Sequence, residues 1–238
     1  MKIISPWWKF EDDIIECPKL ENYNYGYELL KKLEKYGRTC YKSEDKITID
    51  SAAKFVQMII KNGHESVLEH EKITVRVICD RGVTHEIVRH RIASYSQEST
   101  RYCNYGHDKE ITVILPVWYR SIYDVKERKL KYQADSDTLF CRFEAWEASC
   151  LRAEAAYMKL LEYKAAPQEA RSVLPNSLKT EIVITYNLRE WRHFFKLRTS
   201  LKAHPQMREI TLPMLQRFKK TFPIVFDDIT VEGKGEDK

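Results

Sequence analysis

The sequence predicts an α+β fold, a single mixed domain in which a β-sheet is flanked by helices, one of them long. Three observations carry this expectation. Residues 70–79 alternate, with Ile73, Val75, Val77 and Cys79 facing one way and Lys72, Thr74 and Arg76 the other, the pattern of a half-buried strand. An apolar seam of Leu139, Phe143, Trp146, Cys150, Ala153, Tyr157 and Leu160 repeats every four and three residues, which predicts a helix over 136–164. Predicted strands and helices follow one another irregularly, which points to α+β rather than a regular βαβ repeat.

The remaining elements follow in order. Lys2–Ile4 reads as a first strand, and a helix over 26–36 carries Leu29, Leu30, Leu33 and Tyr36 on one face, with Gly37 placed to end it. Ser51–Asn62 reads as a second helix, capped by Asp50 or Ser51 and stopped at Gly63. A short helix over Thr84–Arg91 leads into a polar loop that runs through Arg101, and Glu110–Leu115 forms a strand closed by Pro116. A strand at Glu181–Thr185 and helices at Asn187–Arg198 and Gln206–Lys220 complete the domain, which spans 1–230. Residues 231–238 carry no apolar anchor and read as a disordered tail. The seam of the long helix packs on its own domain or on another subunit, and the spacing fits both.

Composition narrows the function. The 238 residues carry 40 Lys+Arg against 35 Asp+Glu, a formal charge of +5, which suits anionic small molecules better than a dedicated nucleic-acid partner. Seven glycines stand where average usage would give about seventeen. No Rossmann or Walker glycine pattern is present, so a nucleotide must be held without a glycine-rich cradle. Cys17, Cys40, Cys79, Cys103, Cys141 and Cys150 form no C-x-x-C pair and read as free thiols in a reducing compartment. The N-terminus lacks the apolar core of a secretory signal, and no apolar run is long enough to span a bilayer. A cytoplasmic protein without a membrane partner is the expectation.

Metal and nucleophile signatures fail on geometry. His85 and His90 are five apart, which on a helix turns their rings about 140° from each other. His64 and His70 have no third ligand near them in sequence, so no metal is expected. Cys103, close to Arg101, belongs to no recognisable nucleophile signature.

Two basic clusters stand out. In Arg89–Tyr102, two arginines bracket a histidine, and a loop rich in donors returns to Arg101. Guanidinium and hydroxyl groups in this pattern suit a phosphate, and a solvated basic face fits the same residues. Asn187 can cap the helix that follows it, where Arg189, His193 and Arg198 progress along one side. An amphipathic helix with solvated arginines is the plainer reading of that segment. Arg171, leading into Ser172–Pro175, decides nothing alone.

Taken together these segments resemble the flavin-dependent thymidylate synthase family. Its signature, R-H-R, seven residues, then S-x-R, is matched by Arg89-His90-Arg91 and Ser99-Thr100-Arg101. Gly63–His70 matches its G-H-x-[ST]-x-x-E-H segment, and Ala170–Pro175 and Asn187–Arg198 match its later blocks in the same order. The resemblance implies methylation of dUMP to dTMP, with methylenetetrahydrofolate as one-carbon donor, FAD as hydride carrier and NADPH as reductant. It implies that Arg198 activates the uracil as the catalytic residue. Glu86, Arg89, Gln97, Glu98, Ser99, Thr100, Arg101, Arg171 and Arg198 would bind dUMP. His64, Ser66, Arg89, His90, Arg91, Gln97, Asn187, Arg189 and His193 would bind the flavin. It also implies a homotetramer whose sites are shared between subunits. Three departures are visible: Glu86 stands where several members carry Gln, Ser96-Gln97 replace an Asn-Glu, and His193 occupies a place that can be Asn.

Overall fold

The computed structural model describes residues 1–11, 25–131 and 138–231. The chain is a mixed fold of strands and helices, as predicted. Its elements are β1 (Lys2–Ile4), β2 (Trp7–Phe10), α1 (Tyr25–Thr39), α2 (Ser51–Lys61), β3 (Lys72–Asp80), α3 (Arg81–Ile87), β4 (Ala93–Gln97) and β5 (Thr112–Ile114). They continue with β6 (Tyr123–Asp124), β7 (Lys129–Leu130), α4 (Thr138–Glu162), α5 (Pro167–Ala170), β8 (Lys179–Asn187), α6 (Leu188–Arg198) and α7 (Pro205–Thr221), with short 3-10 turns between several of them. One sheet has the order β2-β3-β8-β4; β1 pairs with β5 in parallel, Lys2 opposite Thr112, and β6 pairs with β7 antiparallel.

The described residues cluster into two compact units. The first comprises Met1–Trp7, Val77–Arg89 and Ser96–Ile182; the second comprises Trp8–Arg76, His90–Tyr95 and Val183–Lys238.

In the first unit α4 lays Phe143, Cys150 and Tyr157 into a core with Ile3, Ile111, Val113, Leu115, Ile122 and Leu178. Leu139, Trp146 and Leu160, each partly buried, pack against the same cluster, so six of the seven predicted seam residues contact a core of their own chain. The Trp146 indole N–H donates to Ser177 Oγ at 3.0 Å, which satisfies the one polar atom such a ring must bring inside. Burial also pushes the Cys150 thiol up to about 11, which keeps it protonated and inert.

In the second unit an aromatic cluster joins α6 to α7. Trp191 stacks on Phe195 at 5.5 Å, and Phe218 lies 4.9 Å from the Phe195 ring centre. The Trp191 N–H donates to the Ile73 carbonyl at 3.0 Å, tying α6 to β3. Arg192, fully buried in this cluster, is neutralised by Asp228 at 2.6 and 2.8 Å and by Glu65 at 3.2 Å.

Several local expectations are corrected. The short helix begins and ends earlier, at Arg81 and Ile87, because Asp80 accepts from the Val83 N–H at 2.7 Å and caps it a turn upstream of the predicted start. Arg89-His90-Arg91 therefore lies beyond the helix. Residues 93–97, predicted as polar loop, form the edge strand β4; Ser94 and Ser96 are exposed, and the half-buried face carries Ala93, Tyr95 and Gln97 in place of aliphatic residues, so no apolar alternation marks the strand. Gly37 does not end α1, which runs on to Thr39. Its role is close approach, because a Cβ there would lie 2.6 Å from the Phe55 ring. Tyr36, placed on the apolar face by its spacing, is exposed. Asp50 makes no side-chain cap; the Ser51 hydroxyl instead accepts from the Thr48 N–H at 2.9 Å and donates to Glu34 at 2.8 Å. Gly63 ends α2 as predicted, with φ +72°. The start of the long helix before Thr138 and the tail from 232 onward lie outside the described residues.

Candidate functional site

The second unit gathers most of the residues that the family pattern assigns to a flavin. The long strand β8 ends at Asn187, whose side-chain oxygen accepts from the Glu190 N–H at 2.8 Å and starts α6. Arg189 and His193 follow at successive exposed positions of that helix, and the 3-10 turn Glu65–His70 carries Ser66 and Glu69. A cleft of about 460 Å³ is lined by Glu65, Glu69, Ile92, Asn187, Arg189, Glu190, His193 and Lys196. A second cleft of about 410 Å³ includes His64, Ser66, Phe55 and Tyr41 and shares Glu65 and Arg189 with the first. Of the flavin set, the clefts thus bring together His64, Ser66, Asn187, Arg189 and His193, but not Arg91, which is exposed in the same unit.

Acidic groups in these clefts are compensated. Glu69 pairs with Arg189 at 2.6 Å, and Glu65 pairs with buried Arg192 at 3.2 Å. Glu190 lies 2.6 Å from His90 Nδ1. His90 is 4% exposed, and its other nitrogen, Nε2, accepts from the Nε–H of Arg198 at 3.2 Å. Burial lowers the His90 pKa, and the neighbouring Arg198 and His193 lower it further against the pull of Glu190. A neutral imidazole is the only form that fits, since the guanidinium has no lone pair to offer a second N–H. Among the described residues, ligand atoms of His90, Glu190 and His193 lie within 4.8 Å of one another, yet both His90 nitrogens are already engaged and Arg198 brings a positive charge to the same ring.

The first unit holds most of the predicted substrate set. Gln97 closes β4 and donates to Thr84 Oγ1 at 3.1 Å and to Thr180 Oγ1 at 3.2 Å. Glu98 is spanned by Tyr105, whose hydroxyl donates at 2.7 Å, and by Lys179 at 2.7 Å. Burial, followed by the hydrogen bond to Glu98, raises the Tyr105 pKa, so the phenol stays a donor. Arg171 reaches back to this turn and donates to buried Thr100 at 3.3 Å, and Ser99 Oγ accepts from the Arg101 N–H at 3.3 Å. Arg101 itself is exposed, its guanidinium 5.4 Å from the Tyr102 ring centre, and Arg89 is exposed just past α3, beyond half-buried Glu86. Thus Glu86, Arg89, Gln97–Arg101 and Arg171 belong to one unit and Arg198 to the other.

The comparison with known proteins decides the family. Residues 23–224 match the family described as thymidylate synthase complementing protein. The chain belongs to this family. Family members named flavin-dependent thymidylate synthase include one from Corynebacterium efficiens, 37% identical over 87% of this chain and 82% of that protein. Another from Mycobacterium tuberculosis is 36% identical over 82% and 77%, and one from Pyrococcus furiosus is 33% identical over 78% and 70%. In fold, this family member is similar to a UMP/dUMP methylase, PolB from Streptomyces cacaoi, with a TM-score of 0.73 at 21% identity, covering 95% of this chain and 96% of that one.

The sequence draws no attention to Glu190. Three residues after the cap Asn187, it occupies the usual place of a helix-capping acid, so its partner on a distant segment leaves no local signal. Lys179 and Tyr105, which hold Glu98, are silent in sequence for the same reason.

Proposed function

We propose that the chain is a flavin-dependent thymidylate synthase that converts dUMP to dTMP, with methylenetetrahydrofolate as one-carbon donor, FAD as hydride carrier and NADPH as reductant. The observation that carries the reading is the convergence of side chains from two distant motif blocks, His64–Ser66 and Asn187–His193, on clefts that share Arg189. The relatives' names and the four motif blocks in register support it.

The clefts suit a flavin dinucleotide. Its diphosphate is anionic, and Arg189, His193 and Lys196 supply donors while Glu65, Glu69 and Glu190 are held by arginines or by His90. Phe55 and Tyr41 give the second cleft an apolar wall for a ring system. When bound, the flavin supplies the hydride that completes reduction of the transferred one-carbon unit.

The chain's own residues bind and polarise. Arg171 and Arg101 hold the dUMP phosphate, with Gln97, Glu98, Ser99 and Thr100 lining phosphate and sugar; Glu86 contributes from the last turn of α3 and Arg89 from just beyond it. Arg198 sets a fixed positive charge at the uracil edge, where it favours the anionic form whose C5 is nucleophilic. His64, Ser66, Arg89, His90, Arg91, Gln97, Asn187, Arg189 and His193 hold the flavin. The reading includes a cytoplasmic homotetramer with sites shared between subunits. The described cysteines are free, and no described helix is long and apolar enough to cross a membrane.

Purified protein should be yellow, with a flavin band that bleaches under NADPH, and should form dTMP when dUMP and methylenetetrahydrofolate are added. A colourless protein that gains no band with FAD would overturn the reading.

A further inference from the structure

We propose that Glu190 and His90 are positioning residues for Arg198, the carboxylate fixing the imidazole tautomer and the imidazole fixing the guanidinium. The inference deepens the reading of Arg198 as the group that polarises uracil and rests on it. It adds a part for the His90 ring, whose two nitrogens are committed to Glu190 and Arg198.

Donors and acceptors fix the arrangement. Arginine carries only donors, so the 3.2 Å contact from its Nε requires a lone pair on His90 Nε2. The single ring proton of a neutral imidazole then sits on Nδ1, 2.6 Å from Glu190 Oε1, which accepts it. Replace the carboxylate with a group that cannot accept, and the alternative tautomer turns an N–H toward the N–H of Arg198.

Packing holds the relay in place. The His90 ring meets Phe194 edge-on at 5.0 Å and lies 6.0 Å from Tyr186. Its backbone carbonyl accepts from the Tyr95 hydroxyl, which in turn pairs with the Tyr186 hydroxyl at 2.9 Å. Both ends of the relay, Glu190 and Arg198, belong to the first and last turns of α6, so one rigid helix sets their spacing. The helix dipole favours an acid at the first turn and a base at the last, the order found here.

The test uses the full chain and has two independent readouts. Nitrogen-15 histidine spectra of the protein without ligands should show His90 protonated at Nδ1 and bare at Nε2, and Glu190→Ala should shift it toward the other tautomer. In turnover, Glu190→Ala should lower kcat for dTMP formation tenfold or more while the flavin band saturates at the same FAD concentration. Glu190→Gln, whose amide oxygen still accepts from Nδ1–H, should retain most of the rate. His90→Gln, which keeps an acceptor for Arg198, should retain more than His90→Ala, and this pair decides if Glu190→Ala does not fold. An Nε2–H tautomer in the unmodified protein, an unchanged kcat in Glu190→Ala, equal rates for His90→Gln and His90→Ala, or a loss of FAD binding in step with kcat would each overturn the relay. An unmodified chain that makes no dTMP refutes the functional reading instead, and the tautomer measurement, which needs no substrate, still decides the relay.

Discussion

Arg192 is held by Asp228 through two parallel hydrogen bonds, 2.6 and 2.8 Å, with the guanidinium fully buried and the carboxylate half-exposed. The pair ties the chain after α7 to the middle of α6, the helix that also carries Arg189, His193 and Arg198. Because only one partner is buried, the two deletions are not equivalent. Asp228→Ala removes both parallel bonds and leaves the buried cation with Glu65 as its one acidic partner, which should cost about 2 kcal/mol, roughly 4–8 °C in Tm for a chain of this size. Arg192→Met leaves a carboxylate that water can solvate and should cost less. Thermal unfolding of both variants checks the order.

Two glycines should fail for different reasons. Gly37→Ala places a methyl 2.6 Å from the Phe55 ring and should cost about 1–3 kcal/mol by overpacking. Gly63 has open space around it but φ +72°, so Gly63→Ala should cost about 1 kcal/mol. Asn tolerates that backbone, so Gly63→Asn should recover part of the loss, whereas Gly37→Asn should be worse than Gly37→Ala. Denaturant midpoints of the four variants separate the two causes.

Arg198→Ala should abolish dTMP formation while flavin reduction by NADPH continues, since the guanidinium is assigned to the pyrimidine and not to the reductant. Stopped-flow bleaching of the flavin band, run beside a product assay, reads both. Surviving methylation would remove Arg198 from its activating role.

Arg171→Ala should raise KM for dUMP about tenfold, the loss of one charge-assisted contact, and leave FAD binding unchanged. Thr100 also loses its donor, so a small fall in stability should accompany the change.

Acid should act through His90. An unfolded histidine titrates near ~6.5, and burial holds the folded value lower. The folded state therefore binds fewer protons in the interval between the two. Stability from this group is full above the unfolded value and is lost as pH falls toward the folded one. Turnover should fall in the same direction, because an imidazolium presents an N–H to Arg198. In the pH profile of kcat, the acid limb should move when Glu190 is changed to Gln.

Much of the local structure was legible because its signals are short-range. Asn187 reads as a cap and is one; the 3.6-residue seam of α4 and the alternation of β3 depend only on which face of an element is buried. Residues 93–97 escaped because their half-buried positions are Ala93, Tyr95 and Gln97, which give no aliphatic alternation to read. The boundary of α3 moved because the capping acid, Asp80, also reads as the polar end of a strand.

The motif spacing and order by themselves pointed to the family, and with it to the candidate set from His64 to Arg198, because a signature records residue types along the chain. Only the tertiary structure decided how those side chains are committed. It put His64 and Ser66 beside Arg189, gave Glu98 to Tyr105 and Lys179, and joined Glu190 to His90 and His90 to Arg198. Hydrogen-bond partners are fixed by distance and by the match of donor to acceptor, and neither property is written in the spacing of residues along a chain.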